Sequence, residues 1–181
     1  KNQIIDLEKI PQPAQRTKEW YVFRHDRITA SDLGSVIDVN PYSTREKVIM
    51  KKCGVEENFH PGAAIIHGVK YEDVAISIYE RRNQVNVKEF GCIPHPSISF
   101  FGASPDGICD DTGPMEYCAR MLEIKCPPKR KFTKSVPEHY WMQMQGQLEV
   151  CDLDECDFLQ VKLEEYDTFT DYKNDLFDIS E

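Results

Sequence analysis

Two textures divide the chain. Up to about residue 82, apolar residues recur at three- and four-residue spacing, which predicts helices. Trp20, Val22, Phe23 and Ile28 mark an early amphipathic stretch. A short helix is expected from Thr29, with Asp32 as its capping-box partner, ending before Asn40-Pro41. Another is expected after Ser43 with Glu46, closing on Lys51, Lys52 and Gly54. A long helix then spans about Pro61 to Arg82, with Ile65, Val69, Ile76 and Tyr79 as its core stripe. Glu72 falls inside that stripe, where a carboxylate is costly unless a charge, a metal or hydrogen bonds receive it.

After Asn83 the period shortens to two. Val85 and Val87 alternate with polar residues as far as Gly91. Ile98 to Phe101, Ile108-Cys109 and Ala119 to Cys126 read as consecutive strands of a mostly antiparallel meander, stopped by Pro127-Pro128. Ser135, Pro137 and Glu138 start a further helix. It carries Trp141, Met144 and Leu148 on one side and Tyr140, Gln143 and Gln147 on another. Phe158 to Leu163 form a last strand, and 164–181 are an added helix or a loose tail. Helices, meander, helix and strand in that order predict an α/β (α+β) fold with a central mixed, largely antiparallel sheet flanked by helices.

Composition narrows the class. A length of 181 residues suggests a single domain over 1–181. It divides into a helical part to about 82, a sheet and helix over about 83–163, and an acidic tail over 164–181. No run of about 18 apolar residues suggests a membrane span. No secretory leader is evident, and the opening Lys1 reads as a trimmed start. Seven cysteines without a Cys-x-x-Cys pair or zinc spacing read as reduced structural thiols of a cytoplasm or nucleus, not as a redox centre.

The net charge of −9 would seem to exclude a polyanionic partner. Its location removes the objection. Residues 151–181 hold eleven Asp/Glu and two Lys, leaving twenty acidic and twenty basic residues in 1–150. A basic cluster of Lys125, Lys129, Arg130, Lys131 and Lys134 suits a phosphate backbone, and local sign steers such a ligand more than the total does.

Chemistry concentrates in two short segments. Ser104-Pro105-Asp106-Gly107 is followed by Leu122-Glu123-Ile124-Lys125. On a strand, Glu123 and Lys125 project from one face while Leu122 and Ile124 enter the apolar packing. If the two arms pair, Asp106 falls beside Glu123. Two adjacent carboxylates resist joint ionisation, and a divalent cation relieves that. Mg²⁺ takes hard oxygen ligands, and the Ile124 carbonyl could be a third. Such an ion activates water and stabilises phosphoryl charge. Lys125 would position or deprotonate the water or steady developing charge, with its pKa lowered by the nearby cation. Glu72 could hold a metal-bound water or a second ion, and Gln143 could orient Lys125 or a phosphate oxygen.

Five ordered blocks then carry a resemblance. They are Trp20, Arg24 and Ile28-Thr29-Ala30-Ser31; Gly68, Tyr71-Glu72 and Ala75; Gly102 to Gly107; Leu122 to Pro127; and Tyr140, Gln143 and Gln145. Together they span roughly 20–163, and the chain resembles the lambda-phage exonuclease and YqaJ-like viral recombinase group within the PD-(D/E)xK nuclease superfamily. The resemblance implies a restriction-endonuclease-like core. It implies a Mg²⁺-dependent exonuclease, with Mn²⁺ as a substitute and one or two ions. The metal would sit on Asp106, Glu123 and the Ile124 carbonyl, with Glu72 reaching it through water and Lys125 and Gln143 completing catalysis. Arg24, Ser31 and Ser104 would hold a terminal 5′-phosphate, with Lys129, Arg130 and Lys131 on the DNA. Degradation would run 5′→3′ on linear duplex and leave 3′ single strands for an annealing protein in viral or phage-type recombination. Some relatives form toroidal trimers, but no feature required for a ring is visible in this sequence. The acidic end matches no block. An endonuclease or branch-specific nuclease with the same site, and a non-catalytic nucleic-acid-binding module, are the alternatives.

Overall fold

The computed structural model describes residues 2–55, 62–129, 131–132 and 134–178. The N-terminal helices are α1 (Asn2–Lys9), α2 (Lys18–His25), α3 (Leu33–Val36), α4 (Arg45–Lys52) and α5 (Ala63–Asn83). A two-residue strand β1 (Ile28–Thr29) and a 3₁₀ turn (Ala30–Asp32) separate α2 from α3. Then follow β2 (Val87–Lys88), β3 (Ile93–Pro94), β4 (Phe101–Ala103), β5 (Gly107–Cys109), β6 (Met121–Lys125), α6 (Glu138–Cys151), β7 (Cys156–Gln160) and α7 (Phe169–Asp178).

The mixed α/β architecture is present, with hydrogen bonding that divides the strands into two mixed sheets. One has the order β1-β4-β3 and the other β2-β5-β6-β7. The second positions the site. β5 and β6 are antiparallel with Gly107 opposite Leu122, and β6 and β7 run parallel through all five residues of each.

Packing follows from the alternation of β6. Leu122 and Ile124 join Ala75 and Tyr79 of α5 in one apolar cluster. Met121 points the other way, into a cluster with Ile4, Leu7, Phe90, Ile93, Phe101, Ile108 and Val150. β6 is therefore covered on both faces, by α5 on one and α6 on the other. Gly146 lets α6 approach closely, since a Cβ there would come within 2.4 Å of a Leu33 methyl and 3.3 Å of the Ala30 Cβ.

Several boundaries differ from the pattern reading, for local reasons. The cap of α4 is Thr44, not Ser43: its hydroxyl accepts from Lys47 N–H at 3.4 Å. Pro137 occupies the cap position of α6, and Ser135 lies outside that helix. The strand expected over 98–101 starts only at Phe101, because Pro96 and the turn after it hold the preceding segment out of the sheet. The final strand begins earlier, at Cys156, and stops at Gln160. No residue of α2 is buried. The first half of the α5 stripe is also exposed: Ile65 is 51% and Val69 48% accessible, while Ala75 and Tyr79 are buried. The expected start of that helix at Pro61 lies outside the described residues. All seven cysteines are free thiols.

Candidate active site

Just before β5 begins, the chain lies bent away from β6, and the site forms in the gap. Continuing the ladder one step beyond Gly107–Leu122 sets Asp106 opposite Glu123, on one face of the sheet. The Ile124 N–H, left without a strand partner by the bend, donates to Asp106 Oδ2 at 2.6 Å. Lys125 O accepts from Val161 N–H on the β7 side, so strand alternation turns the Ile124 carbonyl to the open edge beside Asp106. Gly107 is required by space: a Cβ would meet Val87 Cγ1 of the adjoining strand at 2.2 Å.

Glu123 has 0% exposure, and its carboxylate is satisfied by three side chains. Lys125 Nζ and Gln143 Nε2 (2.8 Å) both reach Oε1, and Gln147 Nε2 donates to Oε2 at 2.8 Å. Burial opposes the charge on Lys125, but Glu123 and Asp106 outweigh it and raise the pKa of the ammonium. With carboxylates as its neighbours the direction is upward, opposite to the lowering expected beside a bound cation. Asp106 is held well above the ordinary carboxylate range, first by desolvation and then by the charge of Glu123.

Glu72 approaches from α5 across the same cleft, a cavity of about 850 Å³. Ile65, Val69, Lys125, Lys129 and Tyr140 also line it. The exposed half of the α5 stripe is thus cleft wall, not core. Glu72 accepts from Arg16 Nη2 at 2.6 Å, while burial raises its pKa against the pull of Arg16. Arg16 sits in a left-handed conformation at φ 62°, beside Gln15, whose amide donates to the carbonyls of Phe90 and Pro105 at 2.9 Å each. Among the described residues no three His, Cys, Asp or Glu side chains gather into a metal-holding group. Glu72 lines the same cleft as Asp106, and its charge adds to those that raise the Asp106 pKa.

The donor set nevertheless fits a hard divalent cation. Two facing carboxylates and an edge carbonyl offer only oxygen, the ligand type Mg²⁺ and Mn²⁺ take. Desolvation first and the facing charge of Glu123 second hold the Asp106 pKa up, and a bound cation would oppose both.

A second polar cluster reaches the same cleft through Ser31. Arg24 donates to Ser104 Oγ at 3.3 Å and to Ser31 Oγ at 3.1 Å, with its guanidinium 4.2 Å from the centroid of the Trp20 ring. Trp20 Nε1 also donates to Ser104 Oγ, at 3.0 Å. Trp20 and Arg24 are one helical turn apart on α2, so this helix spends its large aromatic on the pocket. Asp32 accepts from the N–H and hydroxyl of Thr29, and Lys52 lies 3.1 Å from Asp32. Desolvation lowers the pKa of Arg24. Lys131 is exposed close to Lys129, and Arg130 lies outside the described residues.

Structure thus joins Glu123, Lys125 and Gln143 in one hydrogen-bonded group, with Asp106 held beside it by the Ile124 N–H, and Arg24, Ser31 and Ser104 in another. Gln147, Arg16 and Trp20 are added contacts that the sequence did not assign to the site. Gln147 had a readable signal, its four-residue spacing from Gln143 on one helix face. Arg16 had none.

Fold and site together define a domain of the PD-(D/E)xK nuclease class. The chain belongs to the YqaJ-like viral recombinase domain family, which matches residues 19–154. It is 39% identical over 180 residues to uncharacterized protein R354 of Acanthamoeba polyphaga mimivirus, covering 93% of this chain and 33% of that one. The chain therefore spans about a third of the length of that relative. Among solved structures it is similar to LHK-Exo, an alkaline exonuclease from Laribacter hongkongensis. The identity is 28% and the TM-score 0.63, with 83% of this chain and 77% of that one covered. The LHK-Exo complex with dAMP matches at 30% identity and TM-score 0.61, covering 80% and 73%. Among the described residues no helix is long and apolar enough to cross a membrane.

Proposed function

We propose that residues 1–181 act as one nuclease domain, a divalent-metal-dependent DNA exonuclease that degrades linear duplex 5′→3′ and leaves 3′ single strands. The observation that carries this reading is the pairing of Asp106 with Glu123 beside Lys125, one short step from the Arg24–Ser31–Ser104 pocket. Family membership and the likeness to an alkaline exonuclease support it.

Each residue has a role set by its place. Asp106, Glu123 and the Ile124 carbonyl hold Mg²⁺ or Mn²⁺, with Glu72 as an outer partner through water. A bound ion of this kind polarises the phosphoryl group and lowers the pKa of water. Lys125 lies against the same carboxylates and directs its ammonium to the place where negative charge grows. Gln143 fixes the Oε1 side of Glu123 and stands next to Lys125. Arg24, with Ser31 and Ser104, accepts a terminal 5′-phosphate through charge-assisted hydrogen bonds. Lys129, Arg130 and Lys131 follow the backbone at the cleft rim, and an annealing protein takes the single strand produced. The site of action is the cytoplasm or nucleus of a host cell.

End-labelled linear duplex with Mg²⁺, run beside a closed circle, tests the reading. Loss of the linear substrate from its 5′ ends with the circle intact is expected. Nicking of the circle would instead establish an endonuclease, and an inert protein would leave a binding module.

A further inference from the structure

We propose that Gln147 is a positioning residue that locks the metal carboxylate to the 5′-end pocket, an inference that rests on the proposed nuclease reading. Its side chain is 1% exposed and touches a member of each group, Glu123 and Ser104. One amide nitrogen serves both: Nε2 donates to Glu123 Oε2 at 2.8 Å and to the main-chain carbonyl of Ser104 at 3.3 Å. Ser104 Oγ in turn receives Trp20 and Arg24. The bridge therefore runs from the carboxylate at the reaction centre, through one amide, to the backbone of the residue that helps hold the terminal phosphate.

Chemistry fixes the orientation of this amide. Both neighbours of Nε2 are acceptors, so rotating the amide would set Oε1 against a carboxylate and a carbonyl. In the observed orientation Oε1 is buried with no hydrogen-bond partner. A methionine or leucine would fill similar volume without stranding an acceptor. Retaining an amide here makes sense if its donor pair has work that packing does not require. Division of labour at Glu123 shows what that work is. Oε1 is occupied by Lys125 and Gln143, whereas among the described residues Oε2 takes one side-chain donor, Gln147, and keeps a lone-pair direction for an ion. Gln147 thereby sets the rotation of the liganding oxygen. Because the same nitrogen grips Ser104, it also sets the spacing between cation and bound end.

Gln147→Met removes the donors and keeps the length. Mn²⁺ binding to the 181-residue chain without DNA, followed by the paramagnetic resonance of the free ion, is expected to weaken about tenfold or more, the scale of losing a partner that orients a ligand. The rate advantage of 5′-phosphorylated over 5′-hydroxyl linear duplex should fall toward one in the same variant. Wild-type Mn²⁺ affinity in a cooperatively melting Gln147→Met protein would overturn the proposal. So would an unchanged preference for phosphorylated ends. If that variant does not fold, the wild-type side-chain amide decides. Its nuclear magnetic resonance signal, assigned through contacts to Ser104, should move on adding Mg²⁺; a stationary signal refutes the bridge. Linear duplex left intact by the wild type would defeat the nuclease reading, while the Mn²⁺ measurement would still judge Gln147.

Discussion

Asp106 stands opposite Glu123 one step past the end of the β5–β6 ladder, and its Oδ2 takes the Ile124 N–H that the departing strand leaves behind at 2.6 Å. The bend that ends strand pairing therefore also creates the carboxylate pair. A backbone N–H fixes Asp106, while the side chains of Lys125, Gln143 and Gln147 fix Glu123.

Lys125 is the most direct test of the chemistry. Lys125→Ala should lower the cleavage rate by at least about 100-fold, the scale for deleting one group that stabilises developing charge. Circular dichroism should show the fold intact. Single-turnover degradation of linear duplex at saturating Mg²⁺ is the measurement.

Acidity at Asp106 has a signed consequence. Its carboxyl titrates well above the ordinary value of about 3.9, first because it is desolvated and then because Glu123 faces it. Between the unfolded and folded values the native state holds the extra proton, so this group stabilises the fold at low pH. That contribution is lost as pH rises through the raised folded value. Metal-free wild type should therefore lose melting temperature relative to Asp106→Asn as pH rises from about 4. Added Mg²⁺ should restore more stability at the higher pH. Thermal melts of both proteins across that range supply the comparison.

In the proposed reading Arg24 serves the end and not the chemistry. Arg24→Ala should degrade 5′-phosphorylated and 5′-hydroxyl duplex at nearly equal rates, while Mn²⁺ binding stays at the wild-type level. Arg24→Lys should recover little of the preference, because a point charge does not reproduce the two-armed contact with Ser31 and Ser104.

Gly146 couples packing to the site. Gly146→Ala would place a methyl against Leu33, Phe101 and Ala30, forcing α6 outward. The expected cost is about 1–3 kcal/mol by denaturant titration, typical of overpacking. Mn²⁺ affinity should weaken as well, since Gln143 and Gln147 ride on the displaced helix.

The legible part of this molecule was its local part. Pro105-Asp106-Gly107 and Glu123-Ile124-Lys125 could be assigned to adjoining strands because period-two alternation fixes which side chains share a face. Thr29 and Asp32 announced a capped turn for the same local reason, and Asp32 does accept from Thr29. What escaped was contact between distant segments. Ile65 and Val69 carry a helical stripe that looks like core, yet among the described residues no second layer covers that end of α5, and they line the cleft. Arg16 meets Glu72 only because Gln15 ties its loop to Phe90 and Pro105, and no pattern within residues 10–17 encodes that tie. The split into two sheets likewise depends on where β4 and β5 diverge, which alternation alone does not reveal.

Gln15 reaches a carbonyl 90 positions away, and Gln147 reaches Glu123 across another 24. Contacts of such long loop closure are entropically expensive and come late in assembly. The residues that hold the carboxylate pair are thus drawn from distant parts of the sequence, so the site exists only as a property of the assembled domain.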